Sequence, residues 1–240
     1  MTIDICLSPA LFPFYQVSTS TVIVVVDVFR ASSTICAALK AGASSIIPVS
    51  SIDEALLYKS KGFMVGAERN VSRCDFADFG NSPFEYLEEI ISSREIVFTT
   101  TNGTKALNLA QDAHSVMIGA LVNLNSIASY CAKMNLDVLV LCAGWNNQVN
   151  IEDTLFGGAL VEKLQQTGVY ELKGDASVLA LSLWKDAKGD LKSYMKCSEH
   201  YHRLMRNGLE RDIDYCLALN STDILPIYDR SSNKISNLNQ

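Results

Sequence analysis

Apolar residues fall along this chain in short unbroken runs rather than in strict alternation. The runs are "TVIVVVDV" (21–28), "SSIIPV" (44–49), "GFMVGA" (62–67), "EIVFTT" (95–100), "HSVMIGA" (114–120) and "DVLVLCA" (137–143). A run that leaves no polar position for solvent predicts a strand covered on both faces, as in parallel sheets. Most are followed by helix-like segments: 33–41 ("STICAALKA"), 52–61 ("IDEALLYKSK"), 104–112 ("TKALNLAQD"), 123–134 ("NLNSIASYCAKM") and 152–166 ("EDTLFGGALVEKLQQ"). The alternation predicts an α/β fold: a largely parallel sheet with helices on both faces, a three-layer α/β/α arrangement of repeated strand–loop–helix units. No linker divides the chain, so 1–230 reads as a single domain and the polar stretch 231–240 ("SSNKISNLNQ") as a flexible tail. After about 174 the pattern is mainly helical, ending in an extended "DILPIYD".

Composition narrows the partners. With 48% hydrophobic residues the 240-residue chain can bury a large core. The net charge is -6 and no basic run tracks a phosphate backbone, which argues against nucleic acid. No stretch approaches the roughly 18 apolar residues of a membrane span. The N-terminal "MTIDICLSPALFPFYQ" has no basic n-region, so no signal peptide is expected. Seven scattered cysteines, none in a C-x-x-C pair, fit buried thiols of a reducing cytoplasm. A homo-oligomer is compatible with all of this.

Three loops follow apolar strands and lead into helices: "DVFRASST" (27–34), "TTTNGT" (99–104) and "CAGWNNQVNIED" (142–153). In open parallel sheets ligands bind beyond the carboxyl ends of the strands, which predicts one shared rim for the three. The long segment "GAERNVSRCDFADFGNSP" (66–83) is expected to reach over them. Ser32, Ser33, Thr101 and Asn102 are ordinary helix-capping types. They are also the donors, with Gly103 and the planar fork of Arg30, that a phosphate needs at helix N-termini. Asp27 and Glu68 end apolar runs, where a charge must be paired or bind a metal. Asp75 and Asp78 lie in the long segment. Glu152 and Asp153 open a helix, a position that suits acids without any further role. Several acids beside an anion site repel the ligand unless a hard cation lies between them, which predicts Mg²⁺. His200 and His202 are two apart on a helix and face different ways, a poor metal pair. No nucleotide-binding glycine fingerprint occurs.

Taken in order, "VVDVFRASST", "GAER", "DFGNSP", "TTTNGTKAL", "CAG" and "IED" resemble the 2-phosphosulfolactate phosphatase family, over about 22 to 216. The resemblance implies an α/β, Mg²⁺-dependent phosphatase of a small sulfonated 2-hydroxy acid ester. It carries Asp27, Arg30, Glu68 and Arg69 over as catalytic. Ser32, Ser33, Thr34, Asn81, Ser82, Thr101, Asn102, Gly103 and Thr104 are expected to bind substrate and phosphate. The metal is expected on some of Asp27, Glu68, Asp78, Glu152 and Asp153. Arg69 is the candidate for a second anion of the substrate. The chain has Asn70 and Val71 where the family often has a glycine pair, and Phe76–Ala77 where it commonly reads Gly-Phe. Metal-bound water is the expected nucleophile, since Phe29 stands where aspartate-nucleophile phosphatases carry a second acid. Cys142 lacks the C-x5-R context of a thiol nucleophile. Action on another small phosphorylated acid, or a non-catalytic anion-binding protein, are the rival readings.

Overall fold

The computed structural model describes residues 1–100, 106, 107, 109, 110 and 112–239. Its centre is a mixed, mostly parallel sheet. The strands are β1 (Thr2–Cys6), β2 (Thr21–Val26), β3 (Ser45–Pro48), β4 (Met64–Arg69), β5 (Ser72–Arg73), β6 (Glu95–Thr99), β7 (Ser115–Gly119), β8 (Asp137–Cys142), β9 (Glu171–Leu172), β10 (Pro226–Asp229) and β11 (Lys234–Asn237). Their spatial order is β5-β4-β6-β3-β11-β10-β7-β2-β8-β1-β9. All six apolar runs are strands, and the helices Ala31–Lys40, Ile52–Ser60, Leu124–Met134 and Ile151–Gln165 follow four of them closely. The helix expected over 104–112 falls partly outside the described residues.

β2 shows why the runs are unbroken. Val22, Val24 and Val26 pack with Leu155, Phe156 and Ala159 of the helix Ile151–Gln165. Ile23 and Val25 point the other way, into a cluster with Ile35 and Leu39 of Ala31–Lys40. Both faces are covered, so neither needs a polar position.

Two features depart from expectation. The sheet is two parallel blocks of opposite sense. β7, β2, β8, β1 and β9 run one way. β3, β6 and β4 run the other, because three antiparallel steps through β10 and β11 separate the blocks. The second departure is in the polar end of the chain: Lys234–Asn237 is not a loose tail but the strand β11, with Ile235 fully buried against Ile46. One apolar residue in a polar stretch is enough to seat a four-residue strand between existing edges. The loop after β6 therefore leaves a strand of the opposite sense to β2 and β8, and the three loops do not share one carboxyl rim. The ends of the two blocks still meet: Asp27 after β2, Trp145 after β8, Glu68 of β4 and Thr100 after β6 line one cavity. Phe98 of β6 and Val25 of β2 accordingly share one cluster.

The long segment after β4 is a hairpin. Glu68 pairs with Arg73 and Arg69 with Ser72, so Asn70 and Val71 form a two-residue turn. Both have positive φ, 53° and 75°. Asn tolerates that region, whereas a β-branched residue is strained there. Beyond the hairpin, the Tyr86 hydroxyl donates to the Gly80 carbonyl at 2.9 Å. It lies so close to β4 that a Cβ at Gly66 would overlap it. This contact fixes the 78–83 stretch beside the end of β4.

Candidate active site

The loop after β2 is built by its own hydroxyls. Ser32 Oγ accepts from the Asp27 amide at 2.9 Å, Ser33 Oγ donates to the Val28 carbonyl at 3.0 Å, and Thr34 Oγ1 donates to the Asn81 carbonyl at 3.0 Å. All three side chains are buried. They shape the loop and tie it to the 78–83 stretch. Asp153 completes the frame: one carboxylate oxygen accepts from the Val28 amide at 2.9 Å and the other from the Gly144 amide at 3.0 Å. A residue at the start of the helix Ile151–Gln165 thus clamps the loops after β2 and β8 together.

The frame opens on a cavity of about 140 Å³ lined by Asp27, Arg30, Glu68, Asn81, Thr100 and His200, with Val71, Trp145 and Arg203 at its sides. That is smaller than the roughly 300–1,000 Å³ of sites for drug-sized ligands. It suits a small molecule. Desolvation pushes the Asp27 carboxyl up to about 6, with the charges of Glu68 and Glu152 adding to the rise and His200 opposing it. Asp153 is raised well above the usual carboxylate range by desolvation, then by Glu152 and Asp27. Glu68 accepts from the Val71 amide at 2.5 Å, and Glu152 meets His200 Nδ1 at 2.6 Å. The ring of His200 stands edge-on to Phe29.

Arg30 is the buried cation of the site. It donates to Asp212 at 2.7 Å and to the Val71 carbonyl at 3.1 Å. Ser82 Oγ donates to the other Asp212 oxygen at 2.9 Å. Asn81 is 6% exposed, and its Oδ1 has no hydrogen-bond partner. A buried acceptor without a donor at a cavity wall calls for a ligand atom.

The expected residues thus divide. Asp27, Arg30, Glu68 and Asn81 come together in the cavity. Ser32, Ser33, Thr34, Ser82 and Asp153 stand behind it, with their polar atoms committed to protein partners. Glu152 is fully buried and orients His200. Asp78 is elsewhere: it bonds Lys59 at 2.5 Å and the Val65 amide at 2.9 Å, anchoring the segment after the hairpin. Arg69 donates to the Glu68 carbonyl and to Thr99 Oγ1, away from the cavity lining. Thr101, Asn102, Gly103 and Thr104 lie outside the described residues. Cys142 is fully buried, and burial holds its thiol well above the usual value. A thiolate nucleophile there is disfavoured.

His200, Arg203 and Asp212 are the residues that sequence reasoning missed. The first two are three apart on the helix Glu199–Arg206 and so share one face, a spacing the sequence does contain.

The donor set fits Mg²⁺. Among the described residues no three His, Cys, Asp or Glu side chains gather tightly enough to hold one ion. Asp27 and Glu68 instead offer two carboxylates to one cavity, which Asn81, whose Oδ1 has no hydrogen-bond partner, also lines. Mg²⁺ characteristically takes one or two carboxylates and leaves its other positions to water and phosphate.

Comparison with known proteins agrees with the motif order. The family model described as 2-phosphosulpholactate phosphatase matches residues 6–231. A protein of Caldanaerobacter subterraneus named "Probable 2-phosphosulfolactate phosphatase" is 37% identical over 85% of this chain and 86% of its own length. One of the same name from Clostridium novyi is 32% identical over 94% of this chain and 96% of its own. Another, from Thermotoga maritima, is 38% identical over 80% and 82%. This chain belongs to the 2-phosphosulfolactate phosphatase family.

Proposed function

We propose that this protein is a Mg²⁺-dependent phosphatase that hydrolyses the phosphate ester of a sulfonated 2-hydroxy acid, 2-phosphosulfolactate, to sulfolactate and phosphate. The observation that carries the reading is one small cavity holding the Asp27 and Glu68 carboxylates beside the Arg30 guanidinium and the unpartnered Asn81 amide oxygen. Asp27, Glu68 and Asn81 would hold the metal, which when bound polarises the phosphoryl oxygens and offsets their charge.

In the reaction a water oxygen forms a bond to phosphorus, the ester P–O bond breaks, and the leaving alkoxide takes up a proton. Arg30 meets the charge on the transferring group with the guanidinium N–H groups that Asp212 and Val71 leave free. Its pairing with Asp212 makes it an oriented donor, fixed before substrate arrives. Asp27 is aimed by backbone bonds on both sides, through Ser32 and Asp153. One proton of the attacking water stays on the new phosphate oxygen and the other ends on the leaving oxygen; His200, held by Glu152 through Nδ1, has Nε2 left to accept that proton and pass it on.

Phosphate release from 2-phosphosulfolactate, measured in Mg²⁺ and again in excess EDTA, tests this reading. The expected result is turnover in Mg²⁺ that EDTA abolishes and added Mg²⁺ restores. Undiminished turnover in EDTA removes the metal, and no release from this ester in Mg²⁺ removes the substrate.

A further inference from the structure

Arg203 differs from Arg30 in what it touches. Its guanidinium carbon lies 4.2 Å from the centre of the Trp145 ring. Its Nε is buried with no hydrogen-bond partner, and it makes no ion pair among the described residues. Desolvation lowers its pKa, and the nearby charges of Glu152, Glu199 and Glu68 oppose that fall. A half-buried cation that is stacked on an indole and unpaired among the described residues, at a cavity wall, is placed to receive an anion.

The stacking platform is built separately from the helix that carries Arg203. Trp145 and Gln148 exchange backbone bonds of 3.1 and 2.8 Å. Asn146 and Asn147 between them have φ of 50° and 62°, the form of a tight hairpin turn. Leu204 and Tyr201 bury the opposite side of the helix Glu199–Arg206 in the core. The platform is thus held by its own backbone, and among the described residues the two Nη groups of the stacked guanidinium make no hydrogen bond or ion pair, which leaves their N–H groups to take oxygens of one anion.

We infer that Arg203, laid on Trp145, is the receptor for the sulfonate of the substrate and sets the preference for sulfonated over unsubstituted acids. The inference rests on the phosphatase reading for the position of the phosphate, at the Asp27, Arg30 and Asn81 side of the same cavity. A sulfonate is weakly hydrated and stays ionised throughout the neutral range. It gives up little solvation on meeting a stacked, weakly hydrated guanidinium. Arg69 was the sequence candidate for this second anion. Its Nη1 and Nη2 already bond the Glu68 carbonyl and Thr99 Oγ1, and it is not among the residues lining the cavity.

Equilibrium binding decides the matter without turnover. The full chain in Mg²⁺ buffer is titrated calorimetrically with sulfolactate and with lactate. Wild type should prefer sulfolactate by about 10–100-fold, the yield of hydrogen bonds to a charged group. Arg203→Gln should bind the two alike, and Arg203→Lys, which keeps charge but loses fork and stack, should keep only part of the preference. A wild type without preference, or either variant with the full preference, overturns the inference. An Arg203-dependent preference in a protein that releases no phosphate from 2-phosphosulfolactate upholds it and defeats the phosphatase reading. Turnover of that ester with KM unchanged in Arg203→Gln defeats the inference alone.

Discussion

Arg30 and Asp212, 182 positions apart in the chain, meet at 2.7 Å with side chains only 4% and 5% exposed. This pair joins the loop after β2 to the helix Glu210–Leu217, and Ser82 adds the 78–83 stretch through the second carboxylate oxygen. Removing one partner leaves the other charged and enclosed. Asp212→Ala should lower unfolding stability in urea by about 3–5 kcal/mol, and kcat/KM should fall with it as Arg30 loses its orientation. A loss below about 1 kcal/mol would place the pair in water, not in the core.

The turn at Asn70–Val71 makes a prediction of opposite character. Val71 has φ of 75°, and its side chain packs partly against the main core. Elsewhere a trimmed valine is tolerated better as alanine than as glycine. Here glycine removes the left-handed penalty that alanine keeps, about 1–2 kcal/mol. Val71→Gly should therefore be more stable than Val71→Ala by about 1 kcal/mol in thermal or urea unfolding. The ordinary order, alanine above glycine, would show that the turn adopts another geometry.

Asp27 links the site to pH. Its carboxyl is pushed up to about 6 in the fold, against about 3.9 in the unfolded chain. A raised carboxyl favours the folded state while protonated, so this contribution is full below about 4 and is lost as pH rises through about 6. In EDTA the melting temperature of Asp27→Asn, which never takes the charge, should gain on wild type between pH 4 and 6 and hold its lead above. Mg²⁺ should stabilise wild type most above pH 6, where the carboxylate is free to bind it. A difference between the two proteins that does not vary with pH would contradict the assignment.

Much of this fold is legible in the sequence because burial on both faces writes itself as unbroken apolar runs. The reversal of sense between the two blocks is not. It depends on which edges β10 and β11 join, a pairing of distant segments, and β11 carries one core residue, Ile235. Asp27 and Glu68, which do line the cavity, stand out in the sequence because a carboxylate ending an apolar strand must be paired or bind a ligand. Ser32, Ser33 and Thr34 were expected to bind phosphate, and the structure shows a framing role that the sequence did not suggest. Hydroxyls at a helix start can face outward or back into their own loop, and here they bond inward to Asp27, Val28 and Asn81. His200, Arg203 and Asp212 lie on short polar helices, where charges read as solvent-facing until docking against the sheet turns one face inward.

The most direct test of the central claim is kcat/KM for 2-phosphosulfolactate in Asp27→Asn with Mg²⁺ present. The substitution keeps shape and removes the charge on which, in the proposed function, both metal binding and the site's electrostatics depend. With an unchanged circular dichroism spectrum, activity should fall by about 10²–10³-fold or more. A folded Asp27→Asn protein that keeps wild-type kcat/KM would move the chemistry out of this cavity.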